Sequence, residues 1–221
     1  PNCTYSSFDL TNAMLINGVY DAQPGAAGVK GIELYALKDI PDASIFGVGA
    51  ANNGGGTDSI EFSFPAIAID SGTCIYIADD SLKFVDFFGF EADYFGNSAA
   101  FINGDDAIEL FESGIVIDVF GDIDVDGSGE PWEYLDGWAY RKDGTGPDGS
   151  NFVLNNWIYS GVDALQDVAT NNDAANPFPN CSYSPTAPAV LQANDDNVTM
   201  EINETASIDV LANDNLPNGW E

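Results

Sequence analysis

Asp122, Asp124, Asp126 and Glu133 stand around Gly127 in the spacing D-x-D-x-D-G-x5-E, which is the spacing of a calcium loop. Alternate acids on a tight turn can aim several oxygens at one point. A glycine at the sixth position permits the sharp bend, and a glutamate at the twelfth closes the shell with two more oxygens. Ser128 offers a further oxygen beside them. The chemistry would be binding, because Ca2+ is a hard cation that accepts a variable shell of oxygen ligands. The residues before the loop, Ile115 to Phe120, read as strand and not as the helix that opens an EF-hand. The expectation is therefore a calcium loop between strands, and the competing reading is a solvated acidic turn.

Other chemistry is narrowed by composition. The 221 residues include 36 Asp or Glu, 5 Lys or Arg and no His, for a formal net charge of −31. Without histidine there is no Ser/His/Asp or Cys/His machine, no histidine-ligated zinc and no histidine base. So acidic a chain repels phosphate backbones and anionic lipids, which makes nucleic acid and membranes poor direct partners. Paired carboxylates serve glycoside hydrolysis only at a fixed separation across a sugar-sized cleft, which no sequence spacing can show. Like charges in this number self-repel, and salt screens them. Tyr94, Phe95, Trp157 and Tyr159 could stack on carbohydrate if exposed, although core packing is the ordinary fate of such residues.

Three cysteines are present, and two share a context: Pro1-Asn2-Cys3-Thr4-Tyr5-Ser6 is echoed by Pro179-Asn180-Cys181-Ser182-Tyr183-Ser184. One reading is a disulfide between Cys3 and Cys181 that closes the ends of one module and requires an oxidising compartment. The other is a pair of unpaired thiols at a recurring module junction. Cys74, inside the apolar run 72–78, is expected to be a free, buried core thiol.

The elements that must position these residues are short. Hydrophobic residues make up 45% of the chain and aromatic residues 12%, enough for a core. Runs of alternating, β-branched or aromatic residues recur between Gly, Pro, Asn and Asp clusters, the mark of an all-β sandwich. Strands are expected at 13–20, 31–37, 60–64, 73–78, 99–103, 107–111, 115–120 and 132–140. A helix is expected at 81–88, capped by Asp80 or Ser81, with Leu82, Val85 and Phe88 on one side. Asn52-Asn53-Gly54-Gly55-Gly56 is a loop. Residues 1–184 form the main domain, 185–193 a proline-containing linker, and 194–221 the start of a second module too short to bury a core alone. No apolar run is long enough for a membrane span. The opening at Pro1, without Met or a leader, points to a segment of a longer secreted polypeptide.

Asn103-Gly-Asp-Asp-Ala-Ile-Glu-Leu-Phe111 followed by Gly114-Ile-Val-Ile-Asp-Val-Phe-Gly121 resembles the central hairpin of bacterial lamin-tail-like domains. Gly31-Ile-Glu-Leu-Tyr35, the 52–56 loop, Trp138-Ala-Tyr-Arg141, Phe152 and Asn156-Trp157 resemble the version found in secreted marine bacterial proteins, including N-terminal regions of extracellular nucleases. The resemblance spans 13–179. It implies an immunoglobulin-like β-sandwich with a non-catalytic accessory role, makes Asn103 to Asp106 a turn and sets Glu109 outward on a strand. The tail at Asp209-Val-Leu-Ala-Asn-Asp214 resembles the first strands of cadherin-like adhesin repeats, in which Asp195, Asp196 and Asp214 would fall at interdomain calcium positions.

The sequence thus reads as a secreted or cell-surface, calcium-stiffened binding or spacer module of a multi-domain adhesin-like protein. The alternative is an accessory domain of an extracellular hydrolase such as a nuclease. Expected partners are neighbouring domains of the same polypeptide and a surface glycan or protein.

Overall fold

The structure, a computed structural model, describes residues 9–25, 28–96 and 98–186. The chain divides into two units, residues 1–185 and 186–221. The expected second module, Cys3, Asp195, Asp196 and Asp214 lie outside the described residues, as does the linker from 187 on.

The described strands are β1 (Met14–Ala22), β2 (Val29–Ala36), β3 (Phe46–Ala51), β4 (Phe62–Ser63), β5 (Cys74–Ala78), β6 (Tyr94–Phe95), β7 (Ala107–Glu112), β8 (Ile115–Phe120), β9 (Gly137–Arg141) and β10 (Trp157–Tyr159). They form an all-β sandwich of two sheets, ordered β10-β9-β1-β2-β5-β6 and β4-β3-β7-β8. All pairings are antiparallel except the parallel β5–β6. Alternation sends successive side chains to opposite faces. Ile75 and Ile77 of β5 join Ile16, Ile32, Val48, Leu110 and Phe120 in the core between the sheets. Tyr76 and Ala78 enter a second, aromatic core on the far side of the six-stranded sheet.

That outer core is roofed by helix α1 (Ser81–Phe88). The Asp80 carboxylate accepts from the N–H groups of Leu82 and Lys83, and Gly89, at φ 81°, ends the helix in the left-handed conformation that glycine adopts freely. The expected inward face is corrected: Phe84, Phe87 and Phe88 are buried while Leu82 is 76% exposed. The reason is the surface it covers, where Phe84 and Phe88 meet the ring of Tyr20 at 6.2 and 5.0 Å. One expected strand is absent and one observed strand was not foreseen. Residues 99–103 form no strand, because Ser98–Ala100 is a 3-10 turn. Strand β3 was not expected, since Gly47 and Gly49 break its alternation.

The sheets are joined by one buried cation. Arg141 on β9 donates to Asp118 Oδ2 on β8 at 2.7 Å, to Asp148 at 2.8 Å and to the Ile16 carbonyl on β1 at 2.6 Å. Asp118 also accepts from the N–H groups of Ile16 and Asp148, so both backbone groups of Ile16 are satisfied by this pair. The Arg141 and Asp118 side chains are fully buried. The guanidinium lies 4.4 Å from the Trp157 ring centroid. Gly146, at φ 75°, packs so closely on Arg141 that a Cβ there would collide with the guanidinium.

The expected Cys3–Cys181 pairing is corrected: Cys181 is bonded to Cys74, which is therefore not a free thiol. The physical reason lies in strand alternation. With Ile75 and Ile77 turned inward, Cys74 falls on the outer face of β5, where the segment 178–184 crosses. That strap buries Phe178 and Tyr183. It is held by Glu33, whose Oε2 accepts from Cys181 N at 3.0 Å and whose Oε1 accepts from Tyr140 OH at 2.9 Å and from the Asn17 amide. The Tyr140 hydroxyl in turn accepts from Ser182 N at 2.9 Å. The bond closes a loop with a sequence separation of 107, worth ~4–5 kcal/mol on the chain-entropy account.

Burial raises several carboxyls above their ordinary range. Asp21 on β1, 2% exposed, is pushed from 3.8 to about 6, chiefly by desolvation and against the pull of Lys30. Glu33 and Asp106 are raised by desolvation as well. A raised carboxyl binds its proton more tightly in the folded state, so its contribution is present below the unfolded value and lost as pH rises through the folded one. Acidification from about pH 7.5 to about pH 5 should therefore raise the melting temperature. Asp21→Asn should raise Tm at about pH 7.5 by ~3–6 °C and shrink the gain on acidification. Calorimetry checks both, and an equal gain in the variant would remove Asp21 from the account.

Candidate functional site

The acidic loop leaves β8 at Gly121 and returns through Trp132 and Tyr134, which are 4% and 0% exposed. These two rings anchor it. Trp132 packs on Phe120 with centroids 6.0 Å apart, and the Tyr134 hydroxyl donates to the Asp106 carbonyl at 3.1 Å. Gly127 sits against the Asp105 carbonyl and the Trp132 ring, leaving no room for a side chain.

Within the loop the acids serve the backbone. Asp122 Oδ1 accepts from Asp124 N at 3.1 Å, Asp126 Oδ1 from Ser128 N at 2.9 Å and Glu133 Oε2 from Gly129 N at 2.9 Å. The Ser128 hydroxyl donates to Asp105 Oδ2 at 2.8 Å. The Asp122 and Asp126 bonds are the short-range turns that Asp forms with N–H groups just ahead of it, whereas Glu133 reaches back to Gly129 and Ser128 reaches Asp105. Among the described residues no group of three or more His, Cys, Asp or Glu stands where it could hold a metal ion. Asp122, Asp126 and Glu133 each engage a backbone N–H through one carboxylate oxygen. An Asx turn and a calcium loop draw on the same residues, Asp two apart and Gly at the bend.

The loop rests on the segment 52–56. Gly56 N donates to the Ile123 carbonyl at 2.8 Å, and Gly54, at φ 67°, lies against the backbone of Val125 and Asp126. Asp106 locks the underside. Fully buried, it accepts from Asn53 N at 2.8 Å and Asn103 N at 3.0 Å.

Glu109 differs from expectation, being 3% exposed. It pairs with Gly49 across the strands, and the segment carrying Ser59 lies directly over Gly49, so the outward face of this sheet is covered. Its Oε2 has no hydrogen-bond partner among the described residues. Of the four aromatics considered for carbohydrate stacking, Trp157 is buried at 3% and Phe95 is widely open, at 59%; Tyr94 packs on Phe62 and Phe64.

A shallow cleft of about 350 Å3 lies beside the acidic loop, between Val119, Gly121, Asp122, Ile123 and Asp124 on one side and Ser150, Asn151 and Phe152 on the other. It presents carboxylate, amide and hydroxyl groups beside an aromatic edge, a surface that can exchange hydrogen bonds with a polar ligand. Alternation along β5 was the one signal in the sequence that could have placed Cys74 opposite the strap.

No family model matches the chain, and no curated protein and no solved structure matches it.

With Asp122, Asp126 and Glu133 each bonded to a backbone N–H, the loop should respond to loss of a turn more than to calcium. Asp126→Ala should cost ~0.5–1 kcal/mol, with or without calcium. Adding calcium to chelator-treated protein at constant ionic strength should shift Tm by less than ~1 °C, within the reach of general screening. A rise of several degrees that Asp126→Ala abolishes would show that the loop reorganises around the ion.

Proposed function

We propose that the chain is a non-catalytic binding or spacer module of a secreted or cell-surface multi-domain protein, with an immunoglobulin-like sandwich of the lamin-tail kind. The observation that carries this reading is the Cys74–Cys181 bond, since structural disulfides form and persist in oxidising compartments outside the cytosol. The use made of the buried acids supports it. Asp118, Glu33, Asp106 and Glu112 accept hydrogen bonds that hold strands, turns and the strap in place, which is structural work. The charge of −31 favours solubility and long-range repulsion of other acidic surfaces, properties suited to a module displayed outside a cell. Neighbouring domains of the same polypeptide are its proposed partners, and the cleft beside Asp122 and Asn151 is where a surface glycan or protein would meet it. The calcium expectation rests on the motif alone and forms no part of this proposal.

An antibody raised against the purified chain should label intact source cells or their medium, and the chain incubated with nucleic acids and polysaccharides should release no fragments. Label confined to the cytosol would contradict display. Fragment release that survives repeated purification would contradict the non-catalytic role.

A further inference from the structure

Helix α1 carries two apolar faces. Phe84, Phe87 and Phe88 fill the outer core, whereas Leu82 and Val85, about one turn apart, are turned out to solvent. Beside them lies β6, the outermost strand of the six-stranded sheet, so no strand among the described residues pairs with its far edge. Its two residues divide by alternation. Tyr94 packs on Phe62 and Phe64, and Phe95, paired with Ala78, falls on the side of the sheet that α1 roofs. Phe95 is exposed there as well. Between helix and strand runs a groove of about 260 Å3, lined by Ser81, Leu82, Val85, Glu91, Ala92 and Phe95. Single apolar residues scattered on a surface are ordinary, but a groove that gathers three large ones marks a contact.

Charge decides what the groove can hold. Glu91 lines it, and Asp86, the neighbour of Val85 in α1, is exposed. Lys83 on the same helix is paired with Asp79 at 3.6 Å. A second copy of this chain would bring its own charge of −31 to the contact, and two such surfaces repel. An acidic partner is disfavoured on the same ground. A cationic segment gains instead, because its Lys or Arg groups meet a field of the opposite sign. The open edge of β6 sets the conformation: a segment lying along it is extended, with alternate side chains on the α1 side.

We infer that the groove between α1 and β6 docks an extended apolar segment of a basic partner protein, with alternate apolar side chains set among Leu82, Val85 and Phe95 and flanking Lys or Arg residues facing Glu91 and Asp86. The groove shares no lining residue with the cleft beside Asp122, so the inference stands or falls apart from the spacer reading.

The test uses the fluorescently labelled peptide Lys-Leu-Thr-Leu-Thr-Leu-Lys and a control of the same composition and charge without alternation, Lys-Leu-Leu-Leu-Thr-Thr-Lys. Fluorescence anisotropy at about 0.15 M NaCl, where the Debye length is ~8 Å, should show the alternating peptide binding at least ~tenfold tighter than the control. The double substitution Leu82→Gln/Phe95→Thr leaves the net charge unchanged and touches only the surface, so Tm should hold within ~2 °C. It should nevertheless weaken the alternating peptide at least ~tenfold. Affinities equal within about twofold, between the peptides or between variant and parent, would assign the attraction to net charge alone and overturn the inference. Absence of binding would overturn it as well. Sedimentation of the protein by itself should give a monomer, and a dimer that the double substitution dissolves would give the groove to a second copy and overturn the assignment to a basic partner.

Discussion

A single guanidinium, shut away from water between two sheets, is the constraint around which this sandwich is organised. An isolated ion in that position would cost several kcal/mol, and the fold offsets this with charge, hydrogen bonds and an aromatic face at once. Asp118 and Asp148 supply the charge, the Ile16 carbonyl accepts from Nε and Trp157 covers the plane. The consequences reach outward. Asp148 can be held only if the chain turns tightly after β9, so Gly146 must be bare and Asn156 must brace the carboxylate from behind at 3.0 Å. β8 must bring an acid inward at a position that alternation gives otherwise to apolar residues, beside Ile117 and Phe120.

Elsewhere the chain, with 36 acids and 5 basic residues, cannot neutralise its carboxylates in pairs. It turns them on the backbone instead. Glu112 receives the N–H groups of Thr11 and Asn12 at the start of β1, Asp93 that of Tyr76 on β5, and Asp143 that of Ser184 in the strap. Carboxylates that accept from N–H groups satisfy donors that sheet pairing leaves over, and such charge-assisted bonds are stronger than neutral ones. The acidic loop follows the same pattern, with Asp122, Asp126 and Glu133 each accepting from a backbone N–H.

Much of this was legible in the sequence. The all-β class, the bounds of α1 with its Asp80 cap and the hairpin of β7 and β8 follow from local alternation and turn chemistry. What was not legible depends on partners far apart in the chain. Glu109 reads as outward because alternation names a face, and it cannot say that Ser59 will cover that face. The buried side of α1 was set by the rings of Tyr20 and Tyr76 rather than by the helix itself. Cys181 bonds Cys74 and not the cysteine in its matching context, because the strap crosses the outer face of β5 where Cys74 stands, a long-range contact that a repeated motif cannot name.

The most direct measurement of the central claim is a double-mutant cycle on Arg141 and Asp118 by denaturant unfolding. Arg141→Met and Asp118→Asn should each cost ~3–5 kcal/mol, since each leaves a buried partner unmatched. The double variant should cost less than the sum by at least ~2 kcal/mol. Single costs under ~1 kcal/mol, or effects that add within ~0.5 kcal/mol, would contradict the claim that this pair holds the two sheets together.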